Sequence, residues 1–416
     1  MTQGANGKPS DRCHMCKGKE LTRVLDLGHQ PHSDYFLRPD ELDQPETTFP
    51  LRLVMCEECG LFQIDYYVDP DYLYRGEYLY KSSTTKTGRE HYSQMARDIA
   101  SRFGFGKGNL AVDIGSNVGV LLQGFKDVDM DVLGVDPAEV SRQAIRNGID
   151  TLIEYFESDI ARKIEKERGK AHVITGTNVF AHLHEIDDAV QGMKELLHPD
   201  GVIVIEAPYV VDLLENLEYD TIYHQHIGYL SVRPMQKYFE RFGLELFDVA
   251  YQDIHGGTLR YFVGHKGAHD VTQNVGERIE DENKRGIYTK GYLDNFRTQV
   301  QRQKRELMRL LMDLQQQGKR VSIISTPAKG NTLLNYCHID NELIEYSTEK
   351  NELKIGRYTP GTHITIHSDS KLLEDGTDYA LILAWNFAPE IIENMKEYRK
   401  AGGKFIVPIP NPRIVE

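Results

Sequence analysis

The sequence lacks any apolar run close to the roughly 18 residues that a membrane-spanning helix needs,. It also lacks an excess of positive charge, since 63 Asp and Glu outnumber 49 Lys and Arg and the formal net charge is −14. A general nucleic-acid binder would show a basic face, so only a local basic pocket for a small anion remains open. The opening residues, MTQGANGKPSDR, contain no apolar signal region,. We therefore expect a soluble cytoplasmic protein that is active as a monomer, without a nucleic-acid or membrane partner.

Cysteine is scarce, and four of the 5 cysteines fall into two CxxC pairs. Cys13 and Cys16 form the first pair, Cys56 and Cys59 form the second, and Cys337 stands alone. In a reducing cytoplasm, paired CxxC motifs indicate a zinc site rather than disulfides. A redox pair or unrelated thiols are the alternatives. Four thiolates would complete a tetrahedral ion and leave no open position, so we expect the zinc to be structural.

A chain of 416 residues is too long for one typical core, and the motifs divide it into three parts,. We expect a zinc-binding module at 1–75, a cofactor-binding domain at 76–255 and a second α/β domain at 256–416. Between "LAVDIGS" and "GVIVIEAP", strands and helices alternate in a way that predicts a parallel, doubly wound sheet,. A long polar helix then connects to the second α/β unit, which opens with the strand "RVSIIST".

The stretch "VDIGSNVGVLLQGF" predicts a strand, a glycine turn and the start of a helix, which is a common place for a ligand to meet backbone amides,. The loop from Gly115 to Gly119 does not match the GxGxxG spacing of a dinucleotide site,. Asp113 before the loop suits the amino-acid portion of S-adenosylmethionine. Asp136 ends the next strand and could bind a ribose of either cofactor. The glycine spacing favours the methyl donor over NAD, and a plain turn without a ligand is the third alternative.

The segment Tyr223-His224-Gln225-His226-Ile227-Gly228-Tyr229 concentrates polar and aromatic groups in a short space. If it were an extended strand, His224 and His226 would share a face and could bind a metal, although no third ligand is evident. The same residues could instead be buried polar groups with local hydrogen bonds. A catalytic role is the third interpretation, because imidazole titrates near neutral pH and a phenol can donate to an oxyanion.

The chain closely resembles the S-adenosylmethionine-dependent C-methyltransferases of deoxysugar biosynthesis over nearly its full length. The shared pieces include both CxxC pairs, "DIGSNVG", "LGVDPAE", "NVFAHLHEIDD", "YHQHIGYLS", "HGGTLRYFV", "AKGNTLLNY", "GRYTPGTHI" and "GGKFIVPIP". The resemblance implies a class I methyltransferase fold between a zinc module and a C-terminal α/β domain. It also implies methyl transfer to carbon 3 of a nucleotide-linked 4-keto-deoxysugar, expected to carry dTDP, in a pathway such as antibiotic biosynthesis.

By motif position, His226 resembles the base that removes the hydrogen on carbon 3, and Tyr223 resembles the partner of the keto oxygen. His182, Gln225 and His224 complete the expected catalytic set. The expected cofactor site consists of Asp113, Gly115, Ser116, Asn117, Gly119, Asp136, Pro137 and Asn178. The expected nucleotide-sugar site consists of Tyr78, Tyr80, Lys329, Asn331, Arg357, Tyr358 and His363.

The chain departs from the family pattern at two positions. Gln225 stands where the family commonly has glutamate, so the side chain keeps its shape but loses its charge. Val118 replaces an acid that is frequent in the glycine loop, while Asp113 and Asp136 remain. An O- or N-methyltransferase of nucleotide sugars and a binding protein with weakened catalysis therefore stay open as alternatives.

Overall fold

The computed structural model describes residues 7–74, 86–254 and 256–416. The N-terminal unit is built from short antiparallel strands that carry the CxxC motifs in their turns. Its elements are β1 (Gly7–Pro9), β2 (Leu21–Pro31), β3 (Thr48–Cys56), β4 (Phe62–Ile64), β5 (Tyr66–Val68) and α1 (Pro70–Tyr74). β2 pairs with β3 and β3 with β4, while β1 pairs separately with β5.

The central unit alternates strands with helices, as expected. Its helices are α2 (Lys86–Phe103), α3 (Val120–Lys126), α4 (Arg142–Arg146), α5 (Ser158–Arg168), α6 (Ile186–Leu196), α7 (Val210–Glu215) and α8 (Val232–Glu240). Its strands are β6 (Leu110–Ile114), β7 (Asp131–Val135), β8 (Thr151–Leu152), β9 (Ala171–Thr177), β10 (Leu197–Pro208), β11 (Gly228–Tyr229), β12 (Leu244–Gln252) and β13 (Thr258–His265).

Seven of these strands form one sheet in the order β12-β13-β10-β9-β6-β7-β8. The strands from β8 across to β10 are parallel, and helices cover both faces, so β6 is apolar and buried throughout,. This confirms the expected doubly wound sheet. β13 is antiparallel to both β10 and β12. It lies beyond the boundary expected at residue 255, because a strand that completes the central sheet follows a tight turn there.

β11 is not part of the central sheet and pairs with the N-terminal unit instead. Gly228 pairs with Gln63 and Tyr229 with Phe62, which gives a four-stranded sheet in the order β11-β4-β3-β2. The last two residues of the polar segment are therefore part of the N-terminal unit's sheet.

The C-terminal unit is a second α/β layer structure. Its helices are α9 (Gln273–Arg285), α10 (Lys290–Gln316), α11 (Ala328–Cys337), α12 (Ser370–Asp375), α13 (Ala388–Asn394) and α14 (Lys396–Lys400). Its strands are β14 (Val321–Ile324), β15 (Ser347–Glu349), β16 (Ile366–Ser368), β17 (Tyr379–Ile382), β18 (Lys404–Val407) and β19 (Arg413–Val415). The strands lie in the order β16-β15-β14-β17-β18-β19. From β14 the chain first adds β15 and β16 on one side and then β17 to β19 on the other, so the connection changes side between β14 and β17, where ligands commonly bind in such sheets,.

α10 connects the units, as expected of the long polar helix. Arg297 donates hydrogen bonds to the backbone carbonyls of Arg23 and Val24 in β2, at 2.9 and 3.0 Å. Among the helices of the described ranges, none is long and apolar enough to cross a membrane.

Candidate active site

The glycine loop after β6 forms one wall of a deep pocket. Gly115 has a φ of 70°, and a Cβ there would approach Val179 Cγ2 to 2.7 Å, so the close turn requires glycine,. Gly119, with a φ of 81°, is the N-cap of α3. Asp113 is buried at the end of β6 and accepts a 2.6 Å hydrogen bond from the Thr175 hydroxyl. Burial, only partly offset by that hydrogen bond, raises the pKa of Asp113 to about 7,.

Asp136, at the end of the neighbouring strand, is held by backbone amides. Its two carboxylate oxygens accept hydrogen bonds from the amides of Asn117 and Ala138, both at 2.8 Å. Burial raises the pKa of Asp136, and the two amide hydrogen bonds oppose that effect,. The carboxylate therefore has a fixed orientation at the pocket wall, as a ribose acceptor requires.

The pocket brings together most of the expected cofactor residues. Asp113, Gly115, Ser116, Asn117, Asp136, Pro137 and Asn178 all line it. Gly119 is not part of the lining and is instead the N-cap residue of α3. The lining also includes residues that the sequence motifs did not identify, among them Tyr74, Tyr92, Tyr155, Phe156, Thr177 and Leu183. His182 lies at the same pocket and links it to the polar segment that follows α7.

The polar segment is a turn and not an extended strand, so the geometry behind a shared HxH face is absent. The His226 amide donates to the Tyr223 carbonyl at 2.9 Å, which closes the turn. On its far side the Ile227 carbonyl accepts from the Ile64 amide at 3.0 Å, and the Ile227 amide donates to Ala181 at 2.7 Å. The zinc-binding unit and the segment before His182 thus hold the turn from two directions.

His226 is oriented by a backbone carbonyl. Its Nδ1 lies 2.8 Å from the Thr221 carbonyl, which can only accept, so Nδ1 carries the proton and Nε2 presents a lone pair,. Among the described residues, no hydrogen-bond partner of Nε2 is found. Burial lowers the pKa of His226 to about 4, so the ring is neutral at physiological pH,.

Two of the expected partners surround this imidazole. The Tyr223 ring centroid lies 4.0 Å from that of His226, and the His182 ring lies 4.8 Å away at an angle of 84°. The Tyr74 hydroxyl donates a hydrogen bond to the Gln225 carbonyl at 3.3 Å, and its oxygen lies 2.9 Å from Nδ1 of His182. Burial, together with the His226 ring, places the pKa of His182 well below its usual value.

His224 points away from His226, toward the zinc-binding unit. Its Nε2 donates to the Pro50 carbonyl at 3.2 Å, and its ring packs edge-on against Phe49 at 5.7 Å. The structure therefore separates His224 from the other expected catalytic residues, because the turn sends alternate side chains to different neighbours. Gln225 is buried beside it, and its side-chain oxygen has no partner among the described residues.

Lys329 lies at the point where the strand order of the C-terminal sheet reverses. Its ammonium donates to Asn386 Oδ1 at 2.5 Å and sits 3.7 Å from the centroid of the Trp385 ring. The Trp385 indole donates to Asp220 at 2.7 Å, directly before Thr221. Burial raises the pKa of Asp220 to about 6 and lowers the pKa of Lys329,. This group joins the C-terminal unit to the segment that orients His226.

The remaining expected substrate residues are dispersed. Asn331 donates to the Ser33 carbonyl at 2.7 Å. Arg357, Tyr358 and His363 contact the zinc-binding unit through Phe36, Leu37 and Glu46, respectively, and do not lie with Lys329. Tyr78 and Tyr80 fall outside the described residues.

The four paired cysteines form one cluster. The Sγ atoms of Cys13 and Cys59 are 3.5 Å apart, as are those of Cys16 and Cys56, and all four lie within 4.8 Å of one another. Four thiolates around a tetrahedral ion with Zn–S bonds of about 2.3 Å would be separated by a similar distance. The donor set and its spacing therefore fit zinc.

One buried ionic group went unrecognised in the sequence. Glu206, at the end of β10, accepts from His91 at 2.6 Å and from Arg260 at 2.8 Å. His91 precedes Tyr92, whose hydroxyl lies 3.4 Å from the Asn178 amide at the pocket. The group anchors α2 beside the pocket, and no local pattern in the sequence marks these three residues as neighbours.

Known families match successive parts of the chain. A model described as the C-methyltransferase C-terminal domain matches residues 253–410, and a methyltransferase domain matches residues 89–249. A third model, described as "Putative zinc binding domain", matches residues 13–74.

Among characterised relatives, the C-methyltransferase NovU of Streptomyces niveus is 34% identical over 410 residues, covering 98% of this chain and 97% of the relative. Solved structures align with less than half of the chain. Magnesium protoporphyrin IX methyltransferase of Synechocystis PCC 6803 with bound SAM covers 43% of this chain and 79% of its own at 12% identity, with a TM-score of 0.33. A SAM dependent methyltransferase of Archaeoglobus fulgidus covers 40% and 73% at 17% identity, with a TM-score of 0.34. The full-length relative therefore defines the family.

Proposed function

The chain belongs to the S-adenosylmethionine-dependent C-methyltransferase family, and on that premise we propose that its acceptor is carbon 3 of a nucleotide-linked 4-keto-deoxysugar, with dTDP as the nucleotide. The observation that carries the proposal is a neutral imidazole, His226, held with its Nε2 lone pair available next to a phenol and beside the cofactor pocket. Methylation of carbon requires removal of a proton from carbon, and a 4-keto group makes the neighbouring hydrogen acidic.

The pocket after β6 is the proposed methyl-donor site. Asp136 is placed to accept from the ribose, and Asp113 and the Gly115 turn lie where the amino-acid portion would bind. S-adenosylmethionine supplies an electrophilic methyl group. The chain's contribution is to fix these groups and to exclude water, with Tyr74, Tyr92 and other aromatic side chains in the lining.

His226 is the proposed base. The Thr221 carbonyl holds its tautomer and ring plane, and Nε2 takes the proton from carbon 3,. The negative charge that develops on the keto oxygen then needs a donor, for which Tyr223 is the proposed group. His182, bonded to Tyr74, shapes the boundary between this base and the cofactor pocket.

The nucleotide is proposed to bind at the C-terminal unit, near Lys329 and the start of α11. This location adjoins the segment that orients His226, through the bond between Trp385 and Asp220. Because the neighbouring acids Asp220 and Glu218 also interact with Lys329, its charge is partly compensated within the protein. The Cys13, Cys16, Cys56 and Cys59 cluster is proposed to hold a structural zinc ion.

Hydrogen exchange at carbon 3 tests the assignment of the base. The enzyme is incubated in deuterated water with the keto-sugar and S-adenosylhomocysteine, so that proton removal is observed without methyl transfer. His226→Asn is expected to abolish exchange, and His198→Asn, at a half-buried histidine outside the site that stacks on His172, is the matched control that retains it. Exchange that persists in His226→Asn but disappears in His182→Asn would move the base to His182. NMR of the methylated product then locates the new methyl group, and a methyl on oxygen or nitrogen would contradict the proposed acceptor.

A further inference from the structure

Residues 223–227, which hold the proposed base, are called the catalytic turn below. Three segments from different units, one of them this turn, contribute buried polar side chains to a group that we call the polar junction. It consists of His32 and Ser33 after β2, His224 and Gln225 in the turn, and Asn331 and Thr332 in α11. The first and third segments are joined by the 2.7 Å hydrogen bond from Asn331 Nδ2 to the Ser33 carbonyl. Contacts with Phe49 and Tyr72 connect the first segment with the second.

His32 and His224 lie on a common aromatic surface. Phe49 packs 5.7 Å from the His224 ring and 5.9 Å from Tyr72, and Tyr72 packs 5.8 Å from the His32 ring. Burial, together with the nearby His224 imidazole, lowers the pKa of His32 to about 3, and burial lowers the pKa of His224 to about 4,. Both rings are therefore neutral.

The junction is notable for polar atoms without partners. All six residues are buried, with at most 6% of any of them exposed. Among the described residues, the following atoms have no hydrogen-bond partner: both ring nitrogens of His32, Ser33 Oγ, His224 Nδ1, Gln225 Oε1, Asn331 Oδ1 and Thr332 Oγ1. A buried polar group without a partner costs about 1–3 kcal/mol. Such a concentration of unpaired atoms marks a place where water or part of a bound ligand would supply the missing hydrogen bonds.

The chemistry of these atoms selects the kind of occupant. The amide oxygens of Gln225 and Asn331 only accept hydrogen bonds, and His224 Nδ1 also accepts because Nε2 donates to Pro50,. The nearby charged pair, Asp34 and Lys354, is matched internally at 3.9 Å. The hydroxyls of Ser33 and Thr332 and one ring nitrogen of His32 can also donate, so the junction favours an uncharged group that donates hydrogen bonds and can accept them as well,. A phosphate, which only accepts, would leave the acceptors of Gln225, Asn331 and His224 unpaired.

We propose that the polar junction binds an uncharged O–H or N–H group of the acceptor substrate, so that the zinc-binding unit and α11 select the acceptor together with the catalytic turn. The proposal deepens the proposed function and rests on it, since a nucleotide sugar offers two such donors. One is a hydroxyl group of the sugar, and the other is the imide N–H of the pyrimidine base. Gln225, one position before His226, connects this junction directly to the base.

Two substitutions remove unpartnered hydroxyl groups with little change of shape, Ser33→Ala and Thr332→Val. Because each removes a buried hydroxyl that has no partner in the free protein, both variants are expected to unfold at the same or a higher temperature than the wild type. With substrate, each loses one hydrogen bond, and we expect KM for the keto-sugar to rise about tenfold while KM for S-adenosylmethionine stays unchanged.

Calorimetry distinguishes the two hydrogen-bond donors that the nucleotide sugar offers, the sugar hydroxyl and the imide N–H of the base. Binding of dTDP and of dTDP-4-keto-6-deoxyglucose is measured for each variant with S-adenosylhomocysteine present. Weakened binding of both probes would assign the junction to the pyrimidine base. Weakened binding of the keto-sugar nucleotide alone would assign it to the sugar hydroxyl.

Tyr261→Phe is the matched control, since the Tyr261 hydroxyl is also buried without a partner but lies in β13, outside the junction. It is expected to keep the wild-type KM for both substrates. If Ser33→Ala and Thr332→Val behave like Tyr261→Phe in every measurement, the junction holds only internal water or a void, and the proposal is overturned. A wild-type enzyme that binds neither probe would instead contradict the proposed function itself.

Discussion

The histidines of the site are neutral because they are buried, and this determines what each can do. His226 keeps its Nε2 lone pair at physiological pH since burial lowers its pKa to about 4. His182 is affected in the same direction by burial and by the adjacent His226 ring. The hydrogen-bond partners of these rings are the Tyr74 hydroxyl and the Thr221 carbonyl, and Gln225 beside them is an amide where the family commonly has a glutamate. Base strength is therefore limited by burial, and proximity to the acidified carbon has to compensate.

This state of His226 predicts a specific pH dependence. A base with a lowered pKa is in its active, unprotonated form above that pKa and is lost as the pH falls through it. The pH profile of kcat/KM, which reports ionisations of the free enzyme, should therefore show no titration near 6.5, the pKa of an ordinary histidine, and should decline only as the pH approaches about 4,. Steady-state assays between pH 5 and pH 8 test this, and a clear inflection near 6.5 that disappears in His226→Asn would contradict it.

At the same scale, we expect the Asp136 carboxylate to contribute to the affinity for S-adenosylmethionine. Asp136→Ala removes the carboxylate at the proposed ribose position, and a hydrogen bond to a charged group is typically worth about 1.5–3 kcal/mol. Calorimetry should show weaker S-adenosylmethionine binding by that amount. Asp127→Ala, an exposed carboxylate after α3, is the control expected to bind normally. Undiminished affinity in Asp136→Ala would place the ribose elsewhere, and tight NAD binding would favour the alternative cofactor, NAD.

At the scale of elements, the catalytic turn is held by neighbours more than by its own hydrogen bonds. β11 pairs with β4, the Ile227 amide reaches Ala181, and the segment before the turn is bonded to the C-terminal unit through Asp220. A segment of this kind keeps its conformation only while these elements stay docked. Its geometry is thus a property of the packing between units.

The link between Trp385 and Asp220 tests that dependence. Trp385→Phe leaves a buried carboxylate oxygen without its donor, which should lower the free energy of unfolding by about 1–3 kcal/mol,. Turnover should also fall, because Asp220 adjoins the Thr221 carbonyl that orients His226. Denaturant unfolding and steady-state kinetics measure the two effects. Tyr346→Phe, which removes a buried hydrogen bond to Thr377, is the control that should lose stability and keep its turnover; equal turnover in both variants would show that the link does not orient the base.

At the scale of the whole molecule, the N-terminal unit that carries the four paired cysteines packs directly against the turn proposed to hold the base. Its β4 pairs with β11, and its Phe49 and Pro50 contact His224. Residues 357–363 of the C-terminal unit contact it through Arg357 and His363. The three units therefore meet around one turn. Damage to the N-terminal unit should be transmitted to the base while the methyl-donor pocket, built on β6 and β7, remains.

Loss of the metal tests this arrangement. Elemental analysis should give about one zinc per chain, and Cys56→Ser should lose it,. Hydrogen exchange is expected to show reduced protection in residues 7–74, with lower turnover and nearly unchanged S-adenosylmethionine affinity. Cys337→Ser, a buried cysteine outside the cluster, should retain the metal. Full turnover and unchanged N-terminal protection in metal-free protein would contradict the proposed structural role.

The sequence by itself determined the features that depend on nearby residues. The apolar runs of β6 and β7, the glycine turn after Asp113 and the two CxxC turns follow from side-chain patterning and backbone preferences within a few positions,. Together with the family motifs, they also identified His226 and His182, which the fold brings to 4.8 Å. Tertiary structure alone decided that residues 223–227 form a turn, that His224 faces Pro50, and that β13, which begins at Thr258, belongs to the central sheet. It also brought Tyr74 to His182, 108 positions away, and Trp385 to Asp220, 165 positions away. These contacts depend on how separate units bury surface against one another, and no periodicity within a single segment records that.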